Sequence, residues 1–366
     1  MSENYVLHVT QFLKHYEQPG QTGGTLSNYL FIKTLSGTKK VRILSFDGNE
    51  DVVGFFKKDG IDVYASPVPA WNGLSLLLHW NKYVQEKITE FIEKYGYPSE
   101  IITTTSTVPG LKCVKDVPSC RKFVIIRAYE NFGFLSPKVS RSARISFIKH
   151  ALITHFTNTR MIRNADIVVT NSDFMRQAIL KRFGTDVDRI KIVPQLCDMI
   201  KTDPLPLEQV LSVGFVARGS EKNLPFVLKI AGAAPDISFL IYGHTSEINQ
   251  SLPPNVHIMG WCSDRRKMIG SASVWLMPSV WAEPFGRVSM EAQAGDRISL
   301  VIDSGGLPET VIDSQFVVSE FNVNLWVRKI REVLEIPLSS IQENGEKIRA
   351  KFSQLEHDTA IKKLFE

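Results

Sequence analysis

Cysteine is scarce, with four in 366 residues. Cys113, Cys120, Cys197 and Cys262 form no CxxC pair and no zinc spacing. Scattered thiols of this kind point to a reducing compartment. Long apolar runs are also missing. Nothing approaches the roughly 20 apolar residues of a membrane span. The opening "MSENYVLHVTQFLKHYE" lacks the apolar core of a signal peptide. These absences lead us to expect a cytoplasmic protein. The eight histidines show no HxxxH or HxH metal spacing. "GQTGGT" does not satisfy the GxGxxG fingerprint of a dinucleotide-binding oxidoreductase. Charge of one sign is not abundant either. Forty-three basic against 38 acidic residues leave +5. That bias fits an acidic small molecule or an anionic surface better than nucleic acid.

What is present is alternation. Short apolar runs such as Tyr5–Thr10, Val41–Phe46, Ile61–Ser66, Glu100–Ser106, Lys122–Ala128, Ala165–Ser172 and Ile190–Gln195 read as strands. Helical patterns such as Leu74–Gly96 lie between them. Strand–helix alternation predicts a parallel sheet covered on both faces. The pattern restarts at Val210–Val216 and continues through Ile237–Gly243, Asn255–Gly260, Ala272–Ser279 and Arg297–Asp303. "KTDPLPLE", Lys201–Glu208, reads as a linker between the two series. The expectation is an α/β protein of two doubly wound, Rossmann-like domains facing across a cleft. Residues 1–200 would form the first domain and 201–345 the second. Residues 346–366 would form a helical tail lying back on the first. Ligands in such sheets bind beyond the carboxyl ends of the strands.

The stretch "EPFGRVSMEA", Glu283–Ala292, stands out. Pro and Gly are poor helix-interior residues, so its first four residues read as a turn feeding a helix. A helix start offers unpaired N–H groups to an anion. Carboxylates beside an anion site suit sugar or ribose hydroxyls instead.

The run Asn255–Val311, with Glu283, Glu291 and the turn Gly305–Glu309 in order, resembles the donor-binding domain of retaining family 4 glycosyltransferases of the GT-B fold. The likeness covers residues 165–330 well and the N-terminal half in layout only. It implies that Glu283 contacts the transferred sugar and Glu291 the ribose. Phe285, Gly286, Arg287 and Val288 would bring backbone N–H groups to the diphosphate. In "GFVARGSEKN" it implies Lys222 on the leaving phosphates. The slot for its partner arginine holds Phe215, with Arg218 nearby. Gly23 and Gly24, after the first strand, would let backbone amides approach the donor diphosphate. Where the family often has a histidine, this chain has Arg127, Tyr129 and Glu130, expected to touch the acceptor. His244, after a strand, is expected to approach the donor. Ser172 and Ser279 end strands and read as caps of the next element. The implied reaction moves a sugar from a UDP- or GDP-sugar to a hydroxyl of a carbohydrate or glycolipid. It would use no metal and no cofactor, and a peripheral membrane contact fits a lipid-linked acceptor. A nucleotide-sugar-binding subunit without activity is the alternative. A phosphorylase or epimerase of the same fold is a further one.

Overall fold

A computed structural model of the chain describes residues 4–11, 23–46, 50–71, 73–128, 158–197, 212–243 and 251–366. The first sheet is built from β1 (Val6–Thr10), β2 (Val41–Ser45), β3 (Asp62–Ala65), β4 (Glu100–Thr104), β5 (Arg121–Ile125), β6 (Ile167–Thr170) and β7 (Ile190–Ile192). Its seven strands run in the order β3-β2-β1-β4-β5-β6-β7, and every pairing is parallel. Parallel strands need crossovers. These include α1 (Gly23–Ser36), α2 (Glu50–Lys58), α3 (Gly73–Tyr95) and α4 (Asp173–Phe183).

Successive side chains on a strand point to opposite faces. Leu7 and Val9 accordingly enter one apolar cluster with Ile101, Val124 and Val168. Val6 enters the other with Ile43, Ile102, Phe123 and Val169. A sheet buried on both faces requires apolar residues at nearly every strand position, and "VLHVT" and "IVVT" are wholly buried.

The second sheet repeats the order. It comprises β8 (Ser212–Ala217), β9 (Ser238–Gly243), β10 (Val256–Gly260), β11 (Val274–Met277), β12 (Ile298–Ile302) and β13 (Val317–Val318). Their order is β10-β9-β8-β11-β12-β13. Around it lie α5 (Leu224–Ala233), α6 (Arg265–Gly270), α7 (Arg287–Ala294) and α8 (Val323–Leu334). The order reverses beside β1 in one sheet and beside β8 in the other. Such switch points leave a crevice at the strand carboxyl ends.

After α9 (Leu338–Lys351), the last helix α10 (Gln354–Phe365) returns to the first sheet. Ile361 and Leu364 are buried in that domain's cluster. The Phe365 ring stacks on Phe123 at 5.0 Å, and Arg121 Nη2 donates to the Leu364 carbonyl at 2.9 Å. The expected strands are present at close to their expected bounds, and β13, two residues long, is an addition. The expected linker Lys201–Glu208 lies outside the described residues.

Packing in the second domain turns on Trp275, wholly buried and paired in register with Gly214. A Cβ at Gly214 would lie 2.7 Å from the indole. Interiors packed this densely tolerate added volume poorly. Gly214→Ala should therefore cost about 1–3 kcal/mol, read as a lower denaturant midpoint. An unchanged midpoint would show that Trp275 can shift without penalty.

Candidate active site

Three loops at the carboxyl ends of the second sheet converge. The first follows β8 and carries Arg218 and Lys222. The second follows β11 and carries Ser279 and Glu283. The third follows β12 and carries Gly305 and Gly306. The first two are joined by the Val280 N–H donating to the Glu221 carbonyl at 3.0 Å. The last two are joined by the Gly306 N–H donating to the Glu283 carbonyl at 2.7 Å.

Gly305 holds φ 67°, and a Cβ there would sit 2.4 Å from the Glu283 carbonyl oxygen. Only glycine permits both the left-handed backbone and this contact. Gly286, at φ 118°, is the residue that starts α7, and no side chain caps that helix. The turn-then-helix reading of "EPFGRVSMEA" therefore matches the backbone, with Arg287–Ala294 helical.

Glu283 is buried, at 6% exposure. Its Oε1 takes an ion pair from Lys222 Nζ at 2.7 Å and a hydrogen bond from Ser279 Oγ. Ser279 thus serves Glu283 and is not the cap its position predicted. Glu291, at 3% exposure, lies one turn into α7. Arg265 Nη1 reaches its Oε1 at 3.0 Å. Arg287 reaches the same oxygen through Nη2 at 2.9 Å and Nε at 3.2 Å. Arg287 also donates from Nη1 to the Leu196 carbonyl of the first domain at 3.3 Å. It is neither a solvent-facing residue nor an unengaged charge. Three donors on one oxygen fix the direction of the carboxylate. Arg265 was not singled out from sequence, because "DRRK" reads as an ordinary basic surface turn.

Arg218 directly follows β8 and is exposed, whereas Phe215 is a core residue of that strand. Phe285 turns its ring inward against Phe352, edge-on at 5.5 Å, and Val288 packs on the same core. Only their backbone groups are placed to meet a ligand. Gly23 and Gly24 are the first two residues of α1, not loop residues ahead of it. Arg127 follows β5, with its guanidinium 5.4 Å above the Phe31 ring. Burial and the nearby Arg287 lower its pKa to about 10. Tyr129, Glu130 and His244 lie outside the described residues. Among the described residues no group of three His, Cys, Asp or Glu is arranged to hold a metal, and no helix is long and apolar enough to cross a membrane.

The two domains meet at this site. Ser172 caps α4 by accepting from the Met175 N–H at 3.1 Å, and its Oγ donates to the Pro284 carbonyl at 2.5 Å. Glu309, the last residue of the Gly-Gly-Leu-Pro-Glu turn, reaches across. Its carboxylate accepts from the N–H groups of Asp173 at 2.8 Å and Phe174 at 2.7 Å. A carboxylate on the positive end of a helix is a favourable pairing.

Known proteins resemble this chain in part of its sequence and in its fold. Residues 204–352 match the family model described as glycosyl transferases group 1. That match lies in the second half of the chain and takes in less than half of its residues. The chain is similar to an α-maltose-1-phosphate synthase of Mycolicibacterium smegmatis, 26% identical over 196 residues. That match takes in 44% of this chain and 50% of the relative, so the chain spans about half the length of that curated protein. Among solved structures it resembles a sucrose-phosphate synthase from Thermosynechococcus elongatus. There the TM-score is 0.78 and identity 17%, over 99% of this chain and 98% of the other. An Anabaena protein solved with UDP and glucose gives a TM-score of 0.69 at 15% identity, with 99% of each chain covered. Likeness at this identity shows the fold, which is GT-B throughout.

Two outcomes are expected from the two domains. Glu309→Ala strips two helix N-terminal donors of their acceptor and should cost about 0.5–2 kcal/mol, read by urea titration. An unchanged midpoint would mean that water replaces the carboxylate. His8 is wholly buried, and neither ring nitrogen has a partner. Burial, then the nearby Arg127, lowers its pKa from 6.5 to about 3. The native form stays neutral while the unfolded chain binds a proton. Stability should therefore fall as pH drops from about 6.5 toward 3, by up to about 1.4 kcal/mol per pH unit. Denaturant titrations at pH 7, 6 and 5 should show that slope in the native sequence and a shallower one in His8→Phe. Equal slopes would remove His8 as the cause.

Proposed function

We propose that the chain is a retaining glycosyltransferase that needs no metal. It would move a sugar from a UDP- or GDP-sugar to a hydroxyl of a carbohydrate or glycolipid, in glycan or polysaccharide synthesis. One observation carries the reading. A lysine, a buried carboxylate and an uncapped helix start converge where three strands end: Lys222 and Glu283 at 2.7 Å, beside the first turn of α7.

Each part answers a need of the reaction. The leaving nucleoside diphosphate gains negative charge as the glycosidic bond breaks. Lys222, Arg218 and the N–H groups of α7 are the charge-stabilising groups within reach of that position. Preorganised electrostatics of this kind is usually the largest contribution to catalysis. The Lys222–Glu283 contact keeps Glu283 paired while it is buried, since a lone buried charge is costly. Donor phosphates would draw Lys222 away, and Glu283 would then accept hydrogen bonds from sugar hydroxyls. Glu291, aimed by Arg265 and Arg287, would take the ribose hydroxyls. No protein nucleophile is required if the donor phosphate itself deprotonates the acceptor on the face from which it leaves. The bond to the acceptor then forms on that same face, and configuration is retained.

The first test is binding. Thermal shift against UDP, GDP, ADP and NAD, with the sugar forms of the first three, should give a shift for one nucleoside diphosphate and its sugar. A ligand at about 100 times its dissociation constant adds roughly 2.7 kcal/mol of stability. A shift with NAD alone would overturn the reading. Lys222→Ala should then lower turnover by about 10²–10³-fold, and near-normal turnover would remove Lys222 from the phosphate site. Donor binding with no transfer to any acceptor would point to a binding subunit.

A further inference from the structure

Arg127 is not explained by the donor site. It stands at the carboxyl end of β5, in the domain opposite Lys222 and Arg218. Its guanidinium lies over the Phe31 ring of α1, and its charge acts on His8 in the middle of β1, on His357 of α10 and against Arg287 of α7. Asn171, just past β6, donates from Nδ2 to the Arg127 carbonyl at 3.3 Å. Among the described residues no carboxylate is set against the Arg127 guanidinium. Its neighbour Arg287 is paired with Glu291, which also receives Arg265.

The surroundings repeat the pattern. His8 is fully buried with both nitrogens unpartnered, and Asn28, also buried, has its Oδ1 unpartnered. His357, 3% exposed, bonds the Pro194 carbonyl through Nδ1 at 2.7 Å and leaves Nε2 unpartnered. Buried polar groups are normally satisfied, and unsatisfied ones call for an explanation. Of this group Arg287 is engaged by Glu291, and Asp358 lies near His357. Arg127 is half-buried, and a partly desolvated charge without a counter-charge costs free energy.

On the reading of the donor site given above, we infer that this cleft takes a second anionic group besides the donor diphosphate. It is a phosphate or carboxylate on a sugar, received by Arg127. The diphosphate already has Lys222, Arg218 and the start of α7 on the other side of the cleft. A guanidinium is suited to such groups because its planar fork meets two oxygens at once. His8, Asn28 and His357 supply further donors around it. The anion belongs either to the acceptor or to the transferred sugar.

The test uses the full chain, with Arg127→Met and Arg127→Lys beside it, each checked for native circular dichroism. Thermal shifts are recorded with and without saturating UDP or GDP. The added probes are glucose, glucose 6-phosphate, glucose 1-phosphate, glucuronate and inorganic phosphate. The expected result is a further upward shift with an anionic sugar and none with glucose. Arg127→Met should lose that shift, Arg127→Lys should keep part of it, and both should keep the nucleotide shift. If the transferred sugar carries the anion, UDP-glucuronate should bind at least tenfold tighter than UDP-glucose, and Arg127→Met should erase the difference. The inference is overturned if no anionic probe binds with or without nucleotide. It is also overturned if Arg127→Met weakens binding of the nucleoside diphosphate itself tenfold or more, which would assign Arg127 to the diphosphate. The runs without nucleotide read the pocket separately, so failure of nucleotide binding alone would count against the donor site and not against this one.

Discussion

A carboxylate taken out of water must be paired, and at Glu283 that requirement organises the second domain. Its turn is held from below by Gly306 and from the side by the β8 loop, and its charge is met by Lys222. The glycines at 286 and 305 exist to let backbone come that close. The same logic operates at Glu291, where two arginines converge on one oxygen. Each acid is therefore fixed before any ligand arrives. Fixed groups need no reorganisation when charge develops, which is the physical advantage of building a site this way.

Among the described residues, directed polar contacts join the domains, with Trp281 packing on the first domain's core beside them. Glu309 and Ser172 tie the donor loops to the start of α4. A second junction gathers on the stretch after β7. Ser27 of α1 donates to Gln195, Arg287 of α7 to Leu196, and the Cys197 N–H to the Phe352 carbonyl, while His357 of α10 bonds Pro194. Helices from both domains thus meet on four residues. Contacts of this polar kind are specific in direction and individually modest. They set how the two sheets face each other.

Much of the fold was legible because parallel strands buried on both faces must be nearly all apolar. Such runs as "ISLVI" and "VWLM" declare themselves. β13 did not, since two residues carry no periodicity. The turn and helix at Glu283–Ala294 were legible for a different reason, as Pro and Gly mark where a helix cannot extend. The side chains were less so. Phe215 occupies the slot in which an arginine was expected, yet β8 runs on to Ala217 and places Arg218 at the strand's end. Ser279 looked like a cap and is a partner of Glu283. Arg265 and Glu309 carry no local signal at all, because their partners lie 26 and 135 or more residues away.

By itself, then, the sequence determined the two sheets, their parallel sense and the backbone turn that opens α7. These follow from local rules, periodicity and the conformational limits of Pro and Gly, which act within a few residues. Only the tertiary structure decided which charges meet. Lys222 on Glu283, two arginines on Glu291, Glu309 on the far domain's helix and Arg127 without an acid are facts of distance in space. Electrostatic pairing depends on separation and burial, and neither is written in the order of residues along the chain.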